Sequence, residues 1–555
     1  MATGAEHDKG SLNNYYLIAW GLLWLLAMHY MQNNVGGAGL ALPFNSSSWI
    51  AVSIIVAVGL RQVALKGQFE ASRQDLILAC TLIALALPLL WSDPPWRQQS
   101  YDRYLALFAM WLVICGHRQF TLTTTQAELL YSLVIVAGLI QTAVSLVQFF
   151  FAEQLSWVTD YRPRGTFQQT NLVATFIGSS MAIALHQATK SSLSPCSKYL
   201  PPLMLSLGAC ALVLIVSRTG VLGTSIALIG LTAVLGWRKT ARTWLYIALG
   251  VVLGVLLTTS VEGSGRSDAI TAPGYRTTLY NISAELITER PITGWGLGKF
   301  QAIYMERQAH HQAEGSTFSY WNMGINHPHN ELLFWGVEGG MLPVVALLIM
   351  AALVTYRAWR HGNRHTKATW LCALPIVLHT QTELPLYLSV PHLALLAMLV
   401  SECEPGPMKT IRISATKLLR FAAPILVLLV SGFMITNLQA IQLLYEAPTT
   451  PNAFIKIVNP IGQQKRINEL LSQVLSASEN PSARGAAEDM ARSEAMLRPS
   501  VGSYRILANV LHANGKTQQS EEVVAYARYL FPGDAAFSDA YVLPEDRNGA
   551  VSGHN

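Results

Sequence analysis

Apolar and polar positions alternate in blocks along most of the chain. Apolar runs long enough to cross about 30 Å of hydrocarbon as helices fall at 15–31, 49–65, 76–91, 104–116, 129–151, 171–187, 201–216, 220–236 and 244–260. After a polar interval they resume at 331–356, 368–380, 386–403 and 421–439. The pattern predicts an all-α, polytopic membrane protein with about thirteen transmembrane helices. It divides the chain into membrane helices one to nine (1–260), a large polar loop (261–330), helices ten to thirteen (331–439), a helical domain (440–545) and a polar tail (546–555) that reads as disordered.

The last polar domain has its own periodicity. "SYRILANVLHANGKTQQSEEVVAYARYLFP" places Tyr504, Leu507, Ala508 and Leu511 on one helical face, then Val523, Val524, Ala527 and Leu530 on another, with Gly515 between them. The spacing resembles a single tetratricopeptide-type helical hairpin, either a protein-binding element or a cap on the membrane domain.

Composition agrees with the block pattern. Half of the residues are hydrophobic (51%), only 13% are charged, and mean hydropathy is +0.33, outside the range of ordinary soluble chains. The net charge of +6 does not point to nucleic acid, because the basic residues lie in small clusters between apolar runs. They read as topology signals. Arg61/Lys66/Arg73, Arg118, Lys190/Lys198, Arg238/Lys239/Arg242, Arg357/Arg360/Arg364/Lys367 and Lys409/Arg412/Lys417/Arg420 occupy alternate loops. The intervening loops carry few. This alternation assigns the N-terminus to the cytoplasm, and the 261–330 loop and the region after Gln439 to the opposite side.

The first apolar run lacks a small-x-small cleavage pattern and reads as a retained span rather than a signal peptide. The six cysteines, Cys80, Cys115, Cys196, Cys210, Cys372 and Cys403, show no CxxC spacing and no external pair, so neither a disulfide framework nor a zinc site is expected.

Chemistry concentrates in and around the large loop. A helix is expected over 275–289, stopped at Arg290-Pro291 and followed by a turn with Gly294, Gly296 and Gly298. Because those glycines follow a helix and not a strand, they read as a tight packing turn rather than a nucleotide cradle. Arg162 and Arg164 in "DYRPRGTFQQTN", Arg218 in "VSRTG" and Arg276 at the start of the loop helix all fall at the external face. Snorkelling to headgroups accounts for any one of them, but several on one face point to an anionic ligand. Gln168, Gln169 and Asn171 open the next span, where they either touch that ligand or cap the helix.

In "GINHPHNELLFWGVEGG", His327 and His329 flank Pro328, which keeps the chain extended until a span begins near Asn330 and Glu331. A neutral imidazole there can take a proton from a hydroxyl. Asn330 and Glu331 are candidates to orient it. A metal reading draws on the same histidines with His310, His311, Glu314 and Glu331. The spacing lacks the HExxH helix pattern, and no metal or other cofactor is expected.

The order "SRTG", "ERPITGWGLGKF", "HPHNELLFWGVEGG" resembles the bacterial O-antigen ligase and polymerase superfamily. "RGTFQQTN" and "HTQTELPLY", together with the helical tail, are most similar to its O-linked oligosaccharyltransferases of the PglL type. The resemblance covers most of the chain from Arg162 onward and implies an inner-membrane glycosyltransferase of the GT-C type. Such an enzyme joins a glycan from undecaprenyl diphosphate to an acceptor hydroxyl on the periplasmic side, the acceptor being a protein such as pilin. It further implies His329 as general base, supported by His327, Asn330 and Glu331. Arg218 and Arg276 would bind the diphosphate, with Arg162 or Arg164, Gln168, Gln169 and Asn171 on the donor. A lipid A-core ligase or a polymerase would use the same chemistry. A multi-span transporter is the alternative from another class, but no internal repeat is visible, and the charges gather at one face rather than at the midplane.

Overall fold

The computed structural model describes residues 3–152, 154, 162–190, 197–259, 275–316, 324–450 and 453–537, with side chains from Leu12 onward. Among the described residues the fold is all-α apart from one two-stranded ribbon, and it is that of a polytopic membrane protein. Among the described residues, eight helices are long and apolar enough to cross a membrane: Pro43–Lys66, Arg73–Leu90, Thr124–Phe150, Ser197–Ile215, Arg218–Leu235, Trp237–Thr258, Met341–Arg360 and Thr416–Glu446. The other expected spans are helical but shorter or more polar, as at Tyr101–His117, Thr170–Ala188, Arg364–His379 and Val390–Glu402.

The expected tenth span, 331–356, is not one helix. It divides into Glu331–Gly339 and Met341–Arg360 at Gly340, where φ is +77°. There the Met341 N–H leaves the helical ladder and donates to Pro291 O at 2.8 Å.

The chain forms two compact units. The first combines Met1–Ile83, Arg103–Ala272 and Leu347–Asn459. The elements that matter for its polar face are α1 (Thr124–Phe150), α2 (Thr170–Ala188), α3 (Leu200–Ile215), α4 (Arg218–Leu235) and α5 (Arg364–His379). Helix α2 is central, packed against the other four, and every residue from Leu172 to Gln187 is buried. Small residues allow that packing without a hydrophobic driving force between helices. A Cβ on Gly178 would stand 1.9 Å from Thr224 Oγ1 of α4, so only glycine allows the two backbones to approach this closely.

Elsewhere in this unit, strands Gln68–Ala71 and Lys409–Arg412 pair antiparallel, Gln68 opposite Arg412. Arg118 lies nearby on the buried carboxylate of Asp75 and on Gln74 Oε1 at 2.8 Å. A buried arginine needs such partners to be tolerated.

The second unit is assembled from Ala84–Asp102, Pro273–Ala346 and Pro460–Asn555. Its helices are α6 (Arg276–Glu289), α7 (Phe300–Ala313), α8 (Glu331–Gly339), and the consecutive α9 (Gln464–Ser476), α10 (Pro481–Leu497), α11 (Val501–Ala513) and α12 (Thr517–Leu530). The last four make two helical hairpins where the periodicity suggested one. Leu507, Ala508, Leu511, Val524, Ala527 and Leu530 are buried between them. The large loop and the C-terminal helices, separate in the sequence-based division, thus share one unit. Gln301 Nε2 of α7 donates to Pro499 O at 2.9 Å. The expected disordered tail, 546–555, lies outside the described residues, as does the loop segment 261–274.

Candidate active site

In the first unit, the polar segment 162–171 is held from below by α1. Gln148 Oε1 accepts from the main-chain N–H groups of Arg164 and Gly165, both at 2.8 Å, and Gln141 Oε1 accepts from Thr166 N at 3.1 Å. These glutamines are buried, so the loop supplies the donors that a span interior would otherwise lack. Arg162 turns its guanidinium to main-chain oxygens, reaching Val216 O at 2.9 Å and Ile215 O at 3.3 Å. It therefore completes the C-terminus of α3, where the last carbonyls have no intrahelical donor.

The turn between α3 and α4 is tight. Val216 has φ +56° and ψ +51°, a left-handed conformation that a β-branched residue rarely adopts. Ser217 then caps α4, its Oγ accepting from Gly220 N at 3.1 Å and donating to Asn171 Oδ1 at 2.8 Å. Arg218 is the first residue of α4 and is exposed. Gln168 also has positive φ, +56°. Gln169 Nε2 donates to Glu383 Oε2 at 3.3 Å, and Thr219 and Thr382 share a hydroxyl contact at 3.1 Å. Arg162, Asn171 and Ser217 accordingly meet at the turn between α3 and α4, and Gln169 meets the buried Glu383.

In the second unit, Tyr275 and Arg276 open α6, and His327 and His329 precede α8. The Tyr275 hydroxyl lies 2.9 Å from His329 Nε2, with the rings edge to face at 5.8 Å. His329 has φ +51°, and its main-chain N–H donates to His327 Nδ1 at 3.2 Å. Tyr280 donates to His329 O at 3.3 Å, so two tyrosines of α6 engage the same histidine. Asn330 caps α8, its Oδ1 accepting from Leu333 N at 3.0 Å. Glu331 is buried, and its Oε1 accepts from Trp335 Nε1 at 2.8 Å. Arg276 is half-buried at the first turn of α6.

The glycine-rich turn is a packing device. Glu338 of α8 is buried, and its Oε1 accepts from Gly298 N at 2.9 Å and Phe300 N at 3.3 Å, while Trp295 N donates to Val337 O at 2.8 Å. A Cβ on Gly298, where φ is +80°, would stand 2.0 Å from Trp96 O. Helices α6 and α7 are clamped by Arg307 between Glu285 and Glu289, with His311 Nε2 2.8 Å from Glu285 Oε2. Burial opposes ionisation of Glu285, but its bonds to His311 and Arg307 prevail and hold the carboxyl below the usual range. The Arg307 hydrogen bond does the same for Glu289, and the two carboxylates push the guanidinium up.

Tyr275, Glu338 and the strained Val216 did not stand out in the sequence. Glu338 carried one signal, a carboxylate inside the apolar run "LLFWGVEGG". Arg218, Arg276 and His329 share one feature: each stands at or just before a helix N-terminus, where main-chain N–H groups and the helix dipole favour negative charge.

A polytopic all-α membrane protein with guanidinium groups at helix starts and a hydroxyl-bonded imidazole has the groups for anion stabilisation and proton transfer. Family comparison makes the class specific. Residues 203–349 match the O-antigen ligase family, and residues 367–545 match the C-terminal part of virulence factor membrane-bound polymerases. The two matched segments are consistent with an O-antigen ligase or polymerase superfamily member and support glycan transfer of that ligase or polymerase type. No curated protein matches it. The first match contains Arg218, Arg276, His327, His329, Asn330 and Glu331; the second contains Glu383 and the C-terminal hairpins. Arg162, Arg164, Gln168, Gln169 and Asn171 precede both.

Proposed function

We propose that the chain is an O-oligosaccharyltransferase that moves a glycan en bloc from undecaprenyl diphosphate to Ser or Thr hydroxyls of periplasmic proteins such as pilin. It would reside in the bacterial inner membrane with its N-terminus cytoplasmic and its second unit periplasmic. The observation that carries the reading is the Tyr275 hydroxyl 2.9 Å from His329 Nε2, directly beside Arg276. It supports the reading because an imidazole nitrogen lies within hydrogen-bond reach of a hydroxyl, the reach that general-base work requires.

In this mechanism His329 Nε2 takes the proton of the acceptor hydroxyl as its oxygen attacks the sugar C1. The C1–O bond to the lipid diphosphate breaks, and the departing diphosphate takes the electron pair. In-line attack inverts the anomeric centre. Arg276 and Arg218 stabilise the charge growing on the diphosphate, each aided by the N–H groups of its own helix start, without need of a metal. Arg164, Gln168, Gln169 and Asn171 serve the donor. Arg162 acts one step back, by fixing the α3 terminus that presents Arg218. Two C-terminal helical hairpins suit a polypeptide acceptor better than a lipid sugar.

The match over 367–545 favours one other reading, polymerisation, in which the acceptor hydroxyl belongs to a second lipid-linked glycan. Mass spectrometry of periplasmic proteins, run beside a lipopolysaccharide gel with and without the chain, separates the two. Loss of protein glycans with unchanged lipopolysaccharide supports protein glycosylation. Unchanged protein glycans with shortened lipopolysaccharide chains would reject it.

A further inference from the structure

The second unit contains a cleft of about 510 Å³ between α7 and the C-terminal hairpins, with Trp96 in its lining. Its walls come from four helices, so it is not the seam of one hairpin. Ile303, Met496, Leu507 and Leu530 line it with the rings of Trp96, Tyr504 and Tyr526. The tyrosines continue outward as a strip, Tyr504 to Tyr526 at 5.9 Å and Tyr526 to Tyr529 at 6.1 Å between centroids. Met496 and Tyr526 are 45% and 44% exposed, too much for residues whose task is only to seal a core.

Three charges border this surface, and two are committed elsewhere. Lys299 pairs with Asp93 and lies over the Trp96 ring, while Arg492 Nε lies 3.0 Å from Glu488 Oε1. Glu306 has no ion-pair partner among the described residues; burial first, and the Glu306 carboxylate in addition, disfavour ionisation of Tyr504 and Tyr526. The combination of Trp, Tyr, Met and Arg is that of protein-interface cores, and a few hundred Å³ accommodates two or three side chains.

We propose that this cleft binds an extended segment of the acceptor polypeptide, seating an aromatic or large apolar side chain against Tyr504 and Tyr526 and a Lys or Arg against Glu306. The proposal rests on the protein-acceptor reading and adds to it where, and by what chemistry, the acceptor is held.

The test uses the purified full-length protein in detergent micelles without any glycan donor. The probes are short fluorescein-labelled peptides with one serine, one tyrosine and flanking residues that are all lysine or all glutamate. Anisotropy should show preference for the lysine peptide. Binding should fall about tenfold in Tyr526→Ala and in Glu306→Gln, and Glu306→Lys should reverse the preference toward the glutamate peptide. Both substituted side chains are exposed, and unchanged melting temperatures would exclude unfolding as the cause. Equal binding of the two peptides, or an unaltered preference in Glu306→Lys, overturns the proposal, as does displacement of the peptide by a free oligosaccharide. Charge-reversed peptide binding without any protein glycan in cells would retain the cleft and reject the protein-acceptor reading instead.

Discussion

His329 and Tyr275 set the residue-scale expectations. Replacing His329 with Ala should reduce glycan transfer by about 10²–10⁴-fold, measured with purified enzyme and lipid-linked donor, while the protein stays folded in the membrane. Transfer at the wild-type rate would remove His329 as the base. Tyr275→Phe deletes only the hydroxyl, so transfer should fall less than in His329→Ala, since the phenol contacts the nitrogen proposed to take the proton without being that group itself. Arg276→Lys retains the charge but loses the planar fork, and turnover should fall by about 10²-fold or more. A lysine variant with full activity would mean that no diphosphate oxygen is gripped bidentately there.

At the scale of elements, Arg162 and Arg218 of the first unit should separate by phenotype. Arg162 holds main-chain oxygens at the end of α3, so Arg162→Ala should lower stability by about 1.5–3 kcal/mol in chemical denaturation. Arg218→Ala, at an exposed helix start, should leave stability nearly unchanged and abolish transfer. Sequence could not distinguish Arg162 from Arg164 because both lie beside the same span; only the fold reveals which guanidinium meets a helix end. The helices themselves were legible, since their apolar runs are long and bounded by polar or glycine residues. The break at Gly340 was not, because the apolar pattern continues through it and the cause is a tertiary bond to Pro291. Nor was Tyr275, whose partner is 54 positions away. Gly298→Ala should destabilise the second unit by about 2–4 kcal/mol, visible as faster hydrogen exchange in α6 to α8, because the new Cβ meets the Trp96 carbonyl.

For the molecule as a whole, pH offers a test of the Arg307 clamp. Glu285 and Glu289 have folded-state pKa values below those of the unfolded chain, so their contribution is complete above about pH 5 and is lost as pH falls through about 4 and lower. Thermal unfolding followed at pH 7 and pH 3.5 should show the loss, and Arg307→Ala should flatten it. Addition of EDTA should leave transfer unchanged, and inactivation restored by a divalent ion would reinstate a metal.

Finally, the second unit draws on three stretches of chain separated by whole sets of membrane helices, and its Gln301–Pro499 bond joins residues 198 positions apart. Loop closure over such distances makes assembly slow, and synthesis delivers the last partner roughly when everything else is already in place. A chain cut after Glu446 would carry Arg276 and His329 yet lack the helices that pack on α7. A complete second unit therefore has to wait for the final hundred or so residues, and a chain released before them should lack it.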